Sequence, residues 1–188
     1  MSIIITYRRT SRLSMRIAKN GDVHVSVPIG IPKEEVERFI DDHREWIKEA
    51  RQKTYEHQKA RYDFYSKLPL STEAQINDAL TRIDALISPM VERYAKEMGV
   101  RPSCYYYKPN ISRWGQCNVN DQSICFSIYL LLLPDWCVEH VVVHEMCHLL
   151  EPSHNAHFHA LMDKYFPRWR EARAETRRLH MQVDASTH

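Results

Sequence analysis

What this 188-residue sequence lacks narrows its class before anything it contains. It has no CxxC pair, and its five cysteines (Cys104, Cys117, Cys125, Cys137 and Cys147) are odd in number. That argues against a disulfide framework or a cysteine zinc ribbon, and for reduced thiols inside a cell. No apolar run is long enough for a bilayer: the stretch Tyr129 to Leu133 ends at Pro134 and Asp135. Ile3-Ile4-Ile5 is too short for the apolar core of a signal peptide, and Arg8-Arg9 follow it. Charge of one sign is missing too: 26 basic against 24 acidic residues leave a net +2, which by itself calls for no polyanion partner. Internal repeats and low-complexity segments are absent. The expectation is a soluble, cytoplasmic protein with no membrane partner and an open oligomeric state. Its length suffices for one sizeable core, with room for a small N-terminal subdomain.

What is present centres on Val141-Val142-Val143-His144-Glu145-Met146-Cys147-His148-Leu149-Leu150, with His154 just beyond. His144 and His148 are one helical turn apart, so both fall on one face of a helix and can share one tetrahedral Zn²⁺. Glu145 is rotated about 100° from His144, where its carboxylate reaches a water without ligating the ion. A catalytic zinc takes three protein ligands and keeps one open position. His154 is the first candidate for the third, since Pro152 should end the helix and let the chain turn back. Glu171 and Glu175 are rivals, although the arginines around them offer cheap surface pairing. The surrounding helix is apolar, and no basic residue between Val138 and Leu150 can pair with Glu145 locally. One metal site, with one ion per chain, explains the three buried polar groups together. His140, a turn before His144 but with no acid after it, reads as a structural group or as one that supports the ligands from behind. Arg113 is a candidate oxyanion contact, and His157 and His159 are candidate substrate contacts.

Taken in order, residues 3–7 read as a strand and residues 12–28 as an antiparallel hairpin about Asn20-Gly21. Pro32 opens a helix carrying Val36, Phe39, Ile40, His43 and Ile47 at helical spacing to about residue 50. Residues 52–70 suggest a helix extension followed by a linker, and a boundary between subdomains 1–69 and 70–188. Thr72 and Gln75 form a capping-box start for a long helix ending near Gly99, with a kink expected at Pro89. Strands are expected at 103–107, around 111–117 and at 123–128. Asn118 to Gln122 should join the last two, and 123–128 is the candidate strand beside the site for holding an extended peptide. The metal helix then starts at Pro134-Asp135. A short helix carries Phe158, Leu161, Met162 and Tyr165 up to Pro167, a last helix begins near Arg168, and residues 184–188 form a tail. The fold class is α+β: a zincin-like metallopeptidase domain with a small antiparallel sheet and an HExxH helix, preceded by a hairpin-and-helix subdomain.

Ser112-Arg113-Trp114-Gly115-Gln116-Cys117, the strand 124–128, Leu133-Pro134, His144-Glu145-Met146-Cys147-His148, Ser153-His154-Asn155, Phe158 and Phe166-Pro167-Arg168-Trp169 together resemble one family. It is the YgjP-like metal-dependent hydrolases, grouped with minigluzincin-type and SprT-like metallopeptidases. The resemblance implies a zinc centre with His144, His148 and His154 as ligands and Glu145 as general base. The sequence departs from the family at Gln116, Ser153 and His159, where Ser, Asn and Trp are usual. Peptidase activity is assigned to the family mainly by motif, and nucleoside triphosphate hydrolysis has been ascribed to some members.

Three functions follow as expectations. The first is a zinc metallopeptidase acting on peptide or protein. The second is a metal-dependent nucleoside triphosphate pyrophosphohydrolase, with Arg113 and the arginines of 168–178 on the phosphates; that basic segment is also the one feature pointing to nucleic acid. The third is a non-catalytic zinc-stabilised binding domain, disfavoured because structural sites are normally closed by four ligands.

Overall fold

In the computed structural model, residues 2–181 are described; the expected tail at 184–188 lies outside them. Two compact units divide the chain between Tyr62 and Asp63. Among the described residues no helix is long and apolar enough to cross a membrane.

The first unit is a three-stranded sheet with helices. β1 (Ile3–Arg8), β2 (Ser14–Ile17) and β3 (Val23–Pro28) lie in the order β1-β3-β2. The expected hairpin is β2–β3, antiparallel, turned at Gly21 with φ 81°. β1 adds to the other edge of β3 in parallel, a pairing with no local turn to announce it. Alternation in β3 sends Val23, Val25 and Val27 into a core with Val36 and Ile47. The helix expected over 32–50 is two: α1 (Lys33–Asp42) and α2 (Arg44–Ser66). They part at His43, whose ring packs on Phe39 and whose Nδ1 lies 2.7 Å from the Phe39 carbonyl. The helix extension expected ahead of a linker in 52–70 is α2, which runs unbroken to Ser66.

The second unit holds the metal-site sequence. α3 (Glu73–Met98) starts with a complete capping box: Gln75 N–H donates to Thr72 Oγ1 at 3.3 Å, and Thr72 N–H donates to Gln75 Oε1 at 3.1 Å. The helix continues through Pro89 and ends at Gly99 in the left-handed region, φ 69°. β4 (Cys104–Lys108), β5 (Gly115–Asn118) and β6 (Ser123–Ser127) form a second sheet in the order β4-β6-β5. The β5–β6 hairpin is antiparallel, as the turn at 118–122 implies, but β4 pairs with β6 in parallel. The sheet is therefore mixed where an antiparallel one was expected. The loop between β4 and β5 crosses over, so β4 and β6 run the same way. β6 is the centre of the sheet and buried throughout. After a 3₁₀ turn at 128–132 the chain enters α4 (Asp135–His148), then α5 (Ala156–Tyr165) and α6 (Trp169–Met181).

α4 is the axis of this unit. Outside the stripe of His140, His144 and His148 it is largely apolar: Cys137, Val138, Val141, Val142, Val143, Met146 and Cys147 are all buried. It touches α3, α5, α6 and β5. Polar contacts set its orientation: Tyr94 Oη donates to Glu139 Oε1 at 2.7 Å, and Arg93 pairs with the same carboxylate.

Candidate metal centre and active-site cleft

The one-turn spacing of α4 brings His144 and His148 edge to face, with ring centroids 4.9 Å apart. α4 stops at His148, and the following turn brings His154 back until its Nε2 lies 3.0 Å from His144 Nε2. One donor atom from each histidine falls within 4.8 Å of the others, and among the described residues no other His, Cys, Asp or Glu joins this group. Phe158, buried on α5, lies against all three rings at 4.9, 4.6 and 4.7 Å and forms a floor that fixes their planes. Asn155 starts α5 by accepting Phe158 N–H at 3.0 Å. The cap that begins α5 thus also places the floor.

The donor set fits one metal ion. His148 Nδ1–H donates to the Glu151 carbonyl at 3.1 Å, which leaves Nε2 with its lone pair toward the other histidines. Burial, then the charges of neighbouring groups, pushes His144 down to about 3, and burial also lowers His148. Neutral imidazoles are the form a metal binds. A tetrahedral ion with N ligands at about 2.1 Å needs nitrogens about 3.4 Å apart; here the His144 and His154 Nε2 atoms are 3.0 Å apart and all three donors lie within 4.8 Å of one another. Three donors leave the fourth position open. The rivals Glu171 and Glu175 lie outside this group: Glu171 accepts from Arg168 at 3.0 Å, and Glu175 from Arg178 at 2.6 Å.

Glu145, beside His144, is 6% exposed. Burial raises its carboxyl to about 7, against a hydrogen bond from the Cys117 backbone and the charge of Arg113. β5 comes so close that a Cβ on Gly115 would stand 2.6 Å from Glu145 Cγ and Oε1. Glycine is there for space and not for backbone freedom, since its φ is not positive. The strand beside the site is therefore β5, at the sheet edge. The expected candidate, 123–128, is β6; with neighbours on both sides it has no free edge for a peptide.

A cavity of about 570 Å³ opens over Glu145, His144 and His154. Trp114, Phe158 and Trp169 give it aromatic walls, and Arg113 and Arg173 give it cations. The loop carrying Arg113 is tied down where Tyr65 Oη donates to the Ile111 carbonyl at 3.0 Å and Ser127 N–H to the Trp114 carbonyl at 2.8 Å. His159 lines the cavity, stacked on Trp169 at 5.4 Å and 1° between planes. His157 does not line it; its Nδ1 lies 3.3 Å from Glu151 Oε2. His140, expected to be structural, is buried, and its ring lines the cavity while its Nδ1 has no hydrogen-bond partner. Sequence reasoning singled out neither Arg173 nor the floor formed by Phe158. Helical spacing from Trp169 was the available signal for Arg173.

Fold and site define the chain's class: an α+β metallohydrolase-type domain, with three imidazoles that could hold one ion and a buried carboxylate beside them. The model of the YgjP-like, metallopeptidase domain family matches residues 11–77 and 65–179, and the chain belongs to that family. No curated protein matches the chain. The crystal structure of the metallopeptidase zymogen of Pyrococcus abyssi abylysin superposes with a TM-score of 0.44 and 19% identity, over 48% of this chain and 93% of that one.

Proposed function

We propose that this protein is a zinc metallopeptidase, with His144, His148 and His154 as ligands and Glu145 as general base. The observation that carries the reading is the meeting of three imidazoles with a buried carboxylate beside the edge strand of a sheet, in a chain of the YgjP-like family. When bound, the ion supplies Lewis-acid polarisation of the scissile carbonyl. The free edge of β5 holds the peptide as an added strand, which brings the scissile bond over Glu145. Glu145, raised to about 7, is poised to take a proton from the attacking water and return it to the leaving nitrogen. Arg113, on the Glu145 side of the cavity, stabilises the developing oxyanion.

The nucleotide reading relied on Arg113 and the arginines of 168–178. Arg168, Arg170 and Arg178 are held by Glu171, Asp163 and Glu175, and Arg173 is the one α6 arginine lining the cavity. That leaves too few cations for a triphosphate, so the peptide reading is preferred.

The test is metal analysis joined to casein hydrolysis. Wild-type protein purified without chelator should carry about one zinc per chain and cleave casein. Glu145→Gln should keep the metal and lose roughly 10²–10⁴-fold in rate. His154→Ala should lose the metal. Stoichiometric zinc in His154→Ala would refute the ligand set.

A further inference from the structure

The cavity beside the histidines carries unbalanced charge. Its lining includes one carboxylate, Glu145, against two guanidinium groups, Arg113 and Arg173. Among the described residues Arg173 has no hydrogen bond or ion pair, unlike Arg170 and Arg178 on the same helix and Arg168 just before it. Arg173 stands four residues after Trp169, so the two share one face of α6. That face looks across the cavity, where Trp169 stacks on His159. The Arg173 charge is felt at His140 and His144, and that of Arg113 at Glu145. The two cations therefore serve different ends of the cleft.

A guanidinium over an aromatic-walled cleft finds its best partner in a planar anion that accepts two parallel N–H bonds. A phosphate chain would need several donors, such as a glycine-rich loop, and the lining offers one glycine, Gly115, already filled against Glu145. We propose that Arg173 receives a carboxylate of the substrate, so that the enzyme selects peptides with an acidic side chain or a free C-terminus near the scissile bond. The inference rests on the peptidase reading and adds substrate class to it. A divalent ion in the histidine site would add to the positive excess and strengthen the selection.

The test uses the full chain reconstituted with zinc and quenched-fluorescent peptides in matched pairs. One set exchanges Glu for Gln at each position flanking the cleaved bond, and the other exchanges a free C-terminus for its amide. The wild type should favour a carboxylate form by roughly 10- to 100-fold in kcat/KM, and the set that shows the preference identifies the source. Arg173→Gln should bring the ratio close to one, Arg173→Lys should keep part of it, and the control Arg177→Gln should leave it unchanged. Cleavage of both members of every pair at equal rates would overturn the proposal while the peptidase reading stands. If no peptide is cleaved, the peptidase reading fails, and calorimetric binding to Glu145→Gln protein decides the remainder. N-acetylglutamate binding above N-acetylglutamine, lost with Arg173→Gln, supports the carboxylate site. Equal binding of the two, or preferential binding of pyrophosphate, overturns it.

Discussion

Replacing Gly115 with alanine probes how tightly Glu145 is held. The new Cβ would lie 2.6 Å from Glu145 Cγ and Oε1 and 2.8 Å from Cδ. Ordinary carbon contact begins at about 3.5 Å, so something must move by about 1 Å. Neither side has slack. Glu145 is buried on a helix packed on all sides, and Gly115 pairs with the fully buried Phe126 of the central strand. Overpacking of this kind costs about 1–3 kcal/mol. Replacing glycine where the backbone is unstrained returns about 0.4–1 kcal/mol through the unfolded chain. The net loss should be about 1–2 kcal/mol, a fall in Tm of roughly 3–6 °C for a chain of this length. The metal content should not change, because no histidine is touched, while activity falls about 100-fold from the displaced carboxylate. The decisive assay is a double-mutant cycle in urea with Glu145→Ala, which deletes every atom in the clash. Gly115→Ala should then cost nothing or stabilise, giving a coupling energy of at least about 1 kcal/mol. Strict additivity of the two substitutions would refute a steric clash between these residues.

Three further outcomes follow from the same structure. Burial pushes the thiols of Cys117 and Cys147 up to about 11 and about 12, so at pH 8 iodoacetamide should modify exposed Cys104 well before either, as peptide mass mapping would show. Burial also pushes His140 from 6.5 down to about 4. Between those values the unfolded chain binds the proton that the folded chain refuses, so in chelator-treated protein His140 should contribute a loss of about 2 kcal/mol from pH 6.5 to 5, read as the difference between the wild-type and His140→Gln urea profiles. Thr72→Ala removes one side of the capping box and should cost about 1 kcal/mol, or roughly 2–4 °C in Tm.

Features carried by neighbouring residues were legible in the sequence. The Asn20-Gly21 hairpin, the Thr72–Gln75 capping box, and the His144–His148 spacing each depend on a few consecutive positions, and each stands in the structure. Features that depend on long-range placement were not. The parallel addition of β1 to β3 has no turn to signal it, and β6 gave the apolar run of a buried strand without saying that β5 would hold the edge. For residues 52–70 the point where the helix extension gives way to a linker was not legible, because helical periodicity is weak where few positions are buried; the helix persists to Ser66. Within the site, His157 and His159 could not be told apart by position. Two residues on a helix differ by about 200°, and this sends His159 onto Trp169 and His157 to Glu151. Arg173 was hidden among the other arginines of 168–178, and only its place in the cavity lining distinguishes it.

The turn between α4 and α5 does more than deliver His154. Its Glu151 carbonyl holds the ring of His148, and its Glu151 carboxylate takes the Ser153 N–H at 3.1 Å. Two of the three candidate ligands therefore answer to the same few peptide groups. A distortion of this turn would not weaken the centre one ligand at a time; it would release two together. Retention of the ion should then be steep, close to all-or-none, in anything that loosens residues 149–155. Conversely, loading the centre should slow amide exchange there first. Ion affinity and the order of this turn are one equilibrium seen from two ends.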